Sequence, residues 1–257
     1  MSVPTIVVHR DADILAKAVA ARIITRLVDA QSAKGSASLV LTGGTVGIAT
    51  LAAIAETPAR DAVDWRHLDI WWGDERFLPD GDPERNETGA RRALLDHVDV
   101  DPERVHVMLG PDSGLTAEES ADAYATELRK AAQPEDHGPA PSFDVTLLGM
   151  GPDAHVASLF PGMPALYDTR PVTAVHGSPK PPPTRISLTM PTIQASREVW
   201  VVAAGAEKAG AVRLALSESG TMQVPAAGAR GRSRTLFLLD RAAAAKIPPG
   251  LGRIASP

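Results

Sequence analysis

Phe143-Asp144-Val145-Thr146-Leu147-Leu148-Gly149-Met150-Gly151-Pro152-Asp153-Ala154-His155-Val156-Ala157-Ser158-Leu159-Phe160-Pro161-Gly162 is the stretch from which the rest of the chain can be read. Its first six residues form a nearly continuous apolar run, as a central strand covered on both faces requires. Two glycines then break the run, and Asp153 and His155 follow at what reads as the mouth of a short helix. Ligands of open α/β sheets bind just outside the carboxyl ends of the strands. A carboxylate and an imidazole two residues apart on such a loop are placed to activate water. The same pair on an ordinary surface turn would do nothing, so its meaning depends on what surrounds it.

Outward from this segment, short apolar runs alternate with amphipathic helical patterns. Thr5 to Val8, Ser38 to Leu41, Leu68 to Trp72, Val105 to Met108, Arg185 to Leu188, Glu198 to Ala203 and Thr235 to Leu239 read as further strands. Ile14, Leu15, Val19, Ile23, Leu27 and Val28 recur at helical spacing behind a cap at Asp11 or Asp13. Helices are also predicted from the glycines at 43–44 to about Ala55, over Asn86 to Leu95, over Thr116 to Ala132 and over Glu207 to Leu216. Thr116 and Glu119 have the spacing of a capping box. Pro134 to Pro141 and Pro179 to Pro183 are loops, because proline lacks the ladder donor. Strand-helix alternation predicts an α/β fold: a three-layer α/β/α arrangement around a mostly parallel, Rossmann-like sheet, as one domain over residues 1–257.

Composition narrows the function. Of 257 residues, 44% are hydrophobic and 22% charged, which is enough apolar material for a full core. Cysteine is absent, which removes disulfides, thiol nucleophiles and cysteine-ligated metals. The net charge of −5 argues against a general nucleic-acid binder, so an anionic ligand must be held by a few local cations. Met1 to His9 does not read as a signal peptide. The uncharged run from Gly35 to Ala55 contains Gly43, Gly44 and Gly47 and reads as strand, turn and helix, not as a membrane span. The expected compartment is the cytoplasm, with no membrane partner. His9, His67, His97, His106, His137 and His176 show no ligand spacing, so neither a metal nor any other cofactor is expected.

Three further constellations carry chemistry. In Leu39-Val40-Leu41-Thr42-Gly43-Gly44-Thr45-Val46-Gly47 a strand ends in a glycine turn that opens a helix. Free N–H groups at such a start attract an anion, and Gly43, Gly44 and Thr45 are candidate phosphate contacts. It is neither a Walker loop nor a dinucleotide fingerprint. In Trp72-Gly73-Asp74-Glu75-Arg76 three charges follow a strand directly. Arg76 offers a planar fork for an oxyanion, and Asp74 or Glu75 would orient it or work as a base. Finally, Arg185 heads a strand and Lys208 stands at a helix start, where a cation is unfavourable unless a bound anion offsets it. Arg230, Arg232 and Arg234 read as a solvated edge.

Together these motifs resemble the 6-phosphogluconolactonase family. The resemblance rests on Thr42-Gly43-Gly44-Thr45, on Trp72 to Arg76 with Asn86, on Leu148 to Gly162, and on Pro182-Pro183-Thr184-Arg185-Ile186-Ser187-Leu188-Thr189 with Gly205 and Lys208. It runs in order over most of the chain. Gly47 stands where the family usually has proline, and Ala154 where it usually has the glycine of Asp-Gly-His. The resemblance implies the glucosamine-6-phosphate deaminase-like fold and hydrolysis of 6-phospho-D-glucono-1,5-lactone, a small-molecule phosphosugar lactone, to 6-phosphogluconate. Within it, His155 is expected as general base, Arg76 as oxyanion ligand, and Asp153 or Asp74 as supporting carboxylate. Gly43, Gly44, Thr45, Arg185 and Lys208 are expected to bind phosphate, in a monomer. The related deaminases usually carry an aromatic residue at the place of Arg76 and Asn-Glu-Pro at the place of Leu159-Phe160-Pro161. A non-catalytic sugar-phosphate sensor would need a DNA-binding module, for which the chain offers no segment.

Overall fold

A computed structural model of the chain describes residues 1–217, 219–248 and 252–254. Seven strands form one parallel sheet: β1 (Pro4–His9), β2 (Ala37–Leu41), β3 (Leu68–Trp72), β5 (Val145–Gly149), β8 (Glu198–Ala203), β9 (Arg234–Asp240) and β10 (Gly252–Ile254). Their order is β10-β1-β9-β8-β5-β2-β3, and each neighbouring pair is parallel. A smaller antiparallel sheet, in the order β4-β7-β6, joins β4 (Asp74–Arg76), β7 (Arg185–Leu188) and β6 (Val172–Val175).

Side chains alternate along a strand, so each strand of the large sheet feeds two cores. Leu39, Leu41, Ile70, Trp72, Val145 and Leu147 pack on one face with helices α1 (Ala12–Lys34), α2 (Gly44–Glu56) and α3 (Asn86–Ala93). Val40, Trp71, Leu148, Val199 and Val201 pack on the other, with residues of α4 (Ala117–Ala131), α5 (Met190–Ala195), α6 (Ala209–Ala215) and α7 (Pro225–Gly228). Both faces are covered, which is why the central strands carry almost no polar residues.

Local chemistry sets the helix limits. The Asp11 side chain accepts a 2.9 Å hydrogen bond from the Ile14 N–H and caps α1, which ends at Gly35 in the left-handed region. Thr116 and Glu119 form the expected capping box of α4. Among the described residues, no helix is long and apolar enough to cross a membrane.

Several elements depart from the sequence reading. Val105 to Met108 makes only an isolated bridge, Val105 to Ile70, because short 3-10 turns opened by Pro102 and Pro111 carry the chain off the sheet edge. Arg185 to Leu188 is a strand of the small antiparallel sheet, not of the parallel one. Residues 151–162 are turns, with a Val156–Leu159 bridge, and the short helix expected to open at Asp153 and His155 does not form. Ala154 and Ala157 lie there at φ 66° and 50°, which interrupts right-handed helix. Strands β4, β6 and β10 were not foreseen. The first two are very short, and β4 is as charged as a loop. Residues 249–251 and 255–257 of the tail lie outside the described residues.

Candidate active site

Strands β8, β5, β2 and β3 are consecutive in the sheet, so their carboxyl ends stand side by side. Each is followed by one of the singled-out motifs. A cavity of about 200 Å³ opens there, bordered by Gly43, Gly44, Asp74, Arg76, His155, Arg185 and Lys208. Residues distant in sequence thus converge as the α/β rule predicts. Of the other predicted residues, Asp153 is hydrogen-bonded to His155 at the cavity wall, and Thr45 faces an adjoining recess that it shares with Lys208.

The loop after β5 carries the imidazole. Asp153 Oδ1 and His155 Nδ1 are 2.5 Å apart. The short loop closes through Gly151 N–H to His155 O and Ala154 N–H to Gly151 O, both at 3.0 Å. With Nδ1–H donated to a carboxylate, the lone pair of the neutral ring is left on Nε2. Burial raises the Asp153 carboxyl, but the hydrogen bond and charge of His155 outweigh it and, with backbone N–H groups, hold it at about 2. Phe160 packs against the imidazole at 4.5 Å between ring centroids. Ala154 adopts φ 66° with its methyl buried, at the family's glycine position.

The loop after β3 becomes β4, whose alternation divides its charges. Asp74 and Arg76 border the cavity, while Glu75 turns away from it. Glu75 accepts hydrogen bonds from the N–H groups of Asn86 at 2.6 Å and Glu87 at 2.8 Å, capping the first turn of α3. Burial pushes its carboxyl up to about 7 against these donors and the Arg85 guanidinium. Its fixed engagement in the cap removes Glu75 from the candidate bases.

Asp74 accepts from Ser158 Oγ at 2.7 Å and lies 4.0 Å from Arg185 Nη1. The carboxylate that holds His155 is therefore Asp153, whereas Asp74 ties the β5 loop to β4. Arg76 donates Nη1 to Glu84 O and to Asn86 Oδ1, at 2.6 and 2.9 Å. Its Nε is buried with no hydrogen-bond partner among the described residues. An unsatisfied buried donor of this kind is costly.

Asn86 is a further site residue, outside the expected catalytic and phosphate-binding set. Its Nδ2 donates to Asp74 O at 2.8 Å and its Oδ1 accepts from Arg76. A Cβ at Gly43 would fall 1.8 Å from that Oδ1, so glycine is what lets the first motif pack on the second. Gly73 joins the two sheets: its N–H donates to Leu41 O and its carbonyl accepts from Leu188 N–H. Gly47 is also tightly packed, since a Cβ there would lie 2.7 Å from Thr42 O. The first turn of this chain fits glycine at the place where the family usually has proline.

Cations dominate the opposite wall. Arg185 stands directly across from Arg76 in the β4–β7 register. Like charges so paired repel, and Asp74 beside them offsets part of that cost. Burial lowers the Arg185 pKa, and Arg76 lowers it further against the opposing Asp74. Burial likewise lowers that of Lys208, as does the charge of Lys180, against Glu207 and Asp153. Lys180 also borders the cavity and was missed from the sequence, where it sits unmarked in a proline-rich loop. Among the described residues, no three His, Asp or Glu side chains form a group that could hold a metal ion.

A parallel-sheet α/β enzyme, with a carboxylate-held imidazole and a cluster of cations at the carboxyl edge, is the class that fold and site define. The chain belongs to the family described as glucosamine-6-phosphate isomerases/6-phosphogluconolactonase, whose pattern matches residues 10–238. It is 62% identical over 251 residues to a Streptomyces coelicolor protein named 6-phosphogluconolactonase, covering 96% of each chain. A Mycobacterium tuberculosis protein of the same name is 48% identical over 245 residues, covering 95% of this chain and 98% of that one. Among solved structures, 6-phosphogluconolactonase from Trypanosoma cruzi superposes with a TM-score of 0.83 at 27% identity, over 96% of this chain and 98% of that one. A monomeric glucosamine-6-phosphate deaminase, at 20% identity and a TM-score of 0.77 over 94% and 99%, shares the fold.

Proposed function

We propose that this protein hydrolyses 6-phospho-D-glucono-1,5-lactone to 6-phospho-D-gluconate, the second step of the oxidative pentose phosphate pathway. The observation that carries the reading is the His155–Asp153 pair, 2.5 Å apart, at a cavity bordered by Arg76, Arg185 and Lys208. The activity is also the one its 62%-identical relative is named for.

In this reading His155 Nε2 takes a proton from water as the water oxygen attacks the lactone carbonyl carbon. Asp153 keeps the ring in the tautomer that leaves Nε2 free and stabilises the imidazolium that forms. Arg76, whose guanidinium borders the cavity, receives the oxyanion. The tetrahedral intermediate then collapses: the carbonyl reforms, the bond to the ring oxygen breaks, and the imidazolium returns its proton to that oxygen. Lys208 and the 43–45 turn hold the phosphate, with Arg185 beside them, each charge-assisted contact being worth about 1.5–3 kcal/mol. Asp74 supports Ser158 and faces Arg185. The expected working form is a cytoplasmic monomer.

The test is hydrolysis of freshly generated lactone, with spontaneous hydrolysis subtracted and His155→Ala run in parallel. Wild-type acceleration that falls by ~10²–10⁴ in the folded variant supports the base assignment. Acceleration that survives in His155→Ala moves the base elsewhere. No acceleration by folded wild type, with ammonia released from glucosamine 6-phosphate, would assign the chain to the deaminase branch.

A further inference from the structure

Lys180 combines a pinned backbone with an ammonium that has no ion-pair partner among the described residues. Its carbonyl accepts from Ser178 Oγ at 2.9 Å and from Arg185 Nη2 at 3.2 Å. Its N–H donates to Ser178 Oγ at 3.3 Å, and Ser178 N–H closes the loop onto Pro183 O at 3.0 Å. Arg185 also donates Nη2 to Pro181 O and Nε to Pro182 O, at 3.0 and 3.2 Å. Pro181, Pro182 and Pro183 further restrict the backbone by fixing φ. The Arg185 guanidinium is itself buried and sits over the Phe160 ring, which packs on His155.

Two of the three guanidinium nitrogens expected to grip a phosphate are therefore engaged with the loop, and the third faces Asp74. The Lys180 side chain, in contrast, borders the cavity. Among the described residues, neither Lys180 nor Lys208 has a carboxylate within ion-pair distance, and burial, with the charge of Lys180 adding to it, depresses the Lys208 pKa. Two half-buried ammonium groups facing one cavity without a counter-ion make a site for a dianion.

We propose that Lys180 is a binding residue for the substrate phosphate, paired with Lys208, and that Arg185 acts as a positioning residue that straps the 178–183 loop so that Lys180 reaches the cavity. The proposal rests on the phosphosugar reading above. It adds a residue that the sequence motifs leave out and changes the role of Arg185. Because Lys180 would meet the phosphate and not the reacting carbonyl, its charge should govern KM and selectivity for a phosphorylated substrate rather than the chemical step.

The test compares wild type with Lys180→Met, which keeps an unbranched apolar stem, and with Lys180→Arg, which restores the charge. Two readouts are taken: kcat/KM on 6-phosphogluconolactone relative to D-glucono-1,5-lactone, and the 6-phosphogluconate concentration needed for half-maximal thermal stabilisation. Loss of one charge-assisted contact should lower the selectivity ratio, and raise that concentration, by about 10- to 100-fold in Lys180→Met. Lys180→Arg should recover part of both. Selectivity and affinity within about twofold of wild type in folded Lys180→Met would overturn the proposal, as would a fall in kcat with both readouts unchanged. Arg185→Met should weaken 6-phosphogluconate binding in wild type and add little to Lys180→Met, because the two act through one contact; additive losses would refute the strap. The binding readout needs no turnover. A wild type that binds 6-phosphogluconate through Lys180 but leaves the lactone untouched would refute the lactonase reading and keep the phosphate site.

Discussion

Gly151→Ala tests whether the His155–Asp153 geometry is the working part of the site. Gly151 lies outside the left-handed region, so its backbone accepts alanine. A Cβ there would fall 2.1 Å from His155 Nδ1, 2.2 Å from His155 Cε1 and 2.4 Å from Asp153 Oδ1. Ordinary contact begins near 3.4 Å, so the imidazole and the carboxylate must each move by roughly 1 Å. Both are ends of flexible side chains beside an open cavity, so the fold can absorb the methyl where the site cannot. A misplacement of about 1 Å in a catalytic group costs on the order of 10²-fold. Loss of the hydrogen bond that sets the tautomer would take the variant toward the ~10²–10⁴-fold deficit of a missing base. Stability should fall by about 1 kcal/mol, roughly 2–4 °C in Tm for a chain of this size. The assay is lactone hydrolysis with the spontaneous rate subtracted, alongside a thermal melt. The expected result is a folded protein with kcat down at least ~10²-fold and KM little changed. A folded Gly151→Ala enzyme with kcat within about threefold of wild type would refute the reasoning.

Two other perturbations probe the same loop. Ala154→Gly should be close to neutral: relief of about 1–2 kcal/mol at φ 66° is offset by ~0.4–1 kcal/mol of unfolded-state freedom and ~0.8 kcal/mol for the buried methyl. A denaturant-measured loss above about 2 kcal/mol would mean that the methyl's packing outweighs the backbone strain. In acid, the Asp153 carboxyl, held at about 2 in the folded chain against its ordinary value of 3.8, contributes stability that is full above that ordinary value and is lost as the pH falls through about 2. After solvent screening of this partly exposed pair, the share is about 1 kcal/mol. Denaturant melts at a series of pH values should show wild type losing that much more than Asp153→Asn between about pH 4 and pH 2, and parallel curves would count against it.

Much of the scaffold was legible because it is written in local periodicity. The apolar runs at β1, β2, β3, β5, β8 and β9, the Asp11 cap and the Thr116–Glu119 box each depend on neighbouring residues. The parallel sheet followed from their alternation with helices, and the motif positions from their place just after strands. The small sheet was not legible. Asp74–Arg76 is a charged triplet that becomes a strand only because β7 lies beside it. The short helix expected behind Asp153 and His155 is a set of turns, because loop closure holds Ala154 and Ala157 in left-handed conformations.

The residue types that could serve as base, oxyanion ligand and phosphate cations were determined by the sequence alone, since side-chain chemistry travels with the residue. What each one touches was decided only by the tertiary structure. Asp153 and Asp74 were equal candidates to support the base until one lay 2.5 Å from His155 and the other bonded Ser158. Glu75, beside Asp74 in the chain, faces away because strand side chains alternate. Asn86, Ser158 and Lys180 were ordinary polar residues until folding aimed them at the cavity or at residues lining it. Such roles depend on distances between residues far apart in sequence, and those distances exist only once the two cores have closed around the sheet.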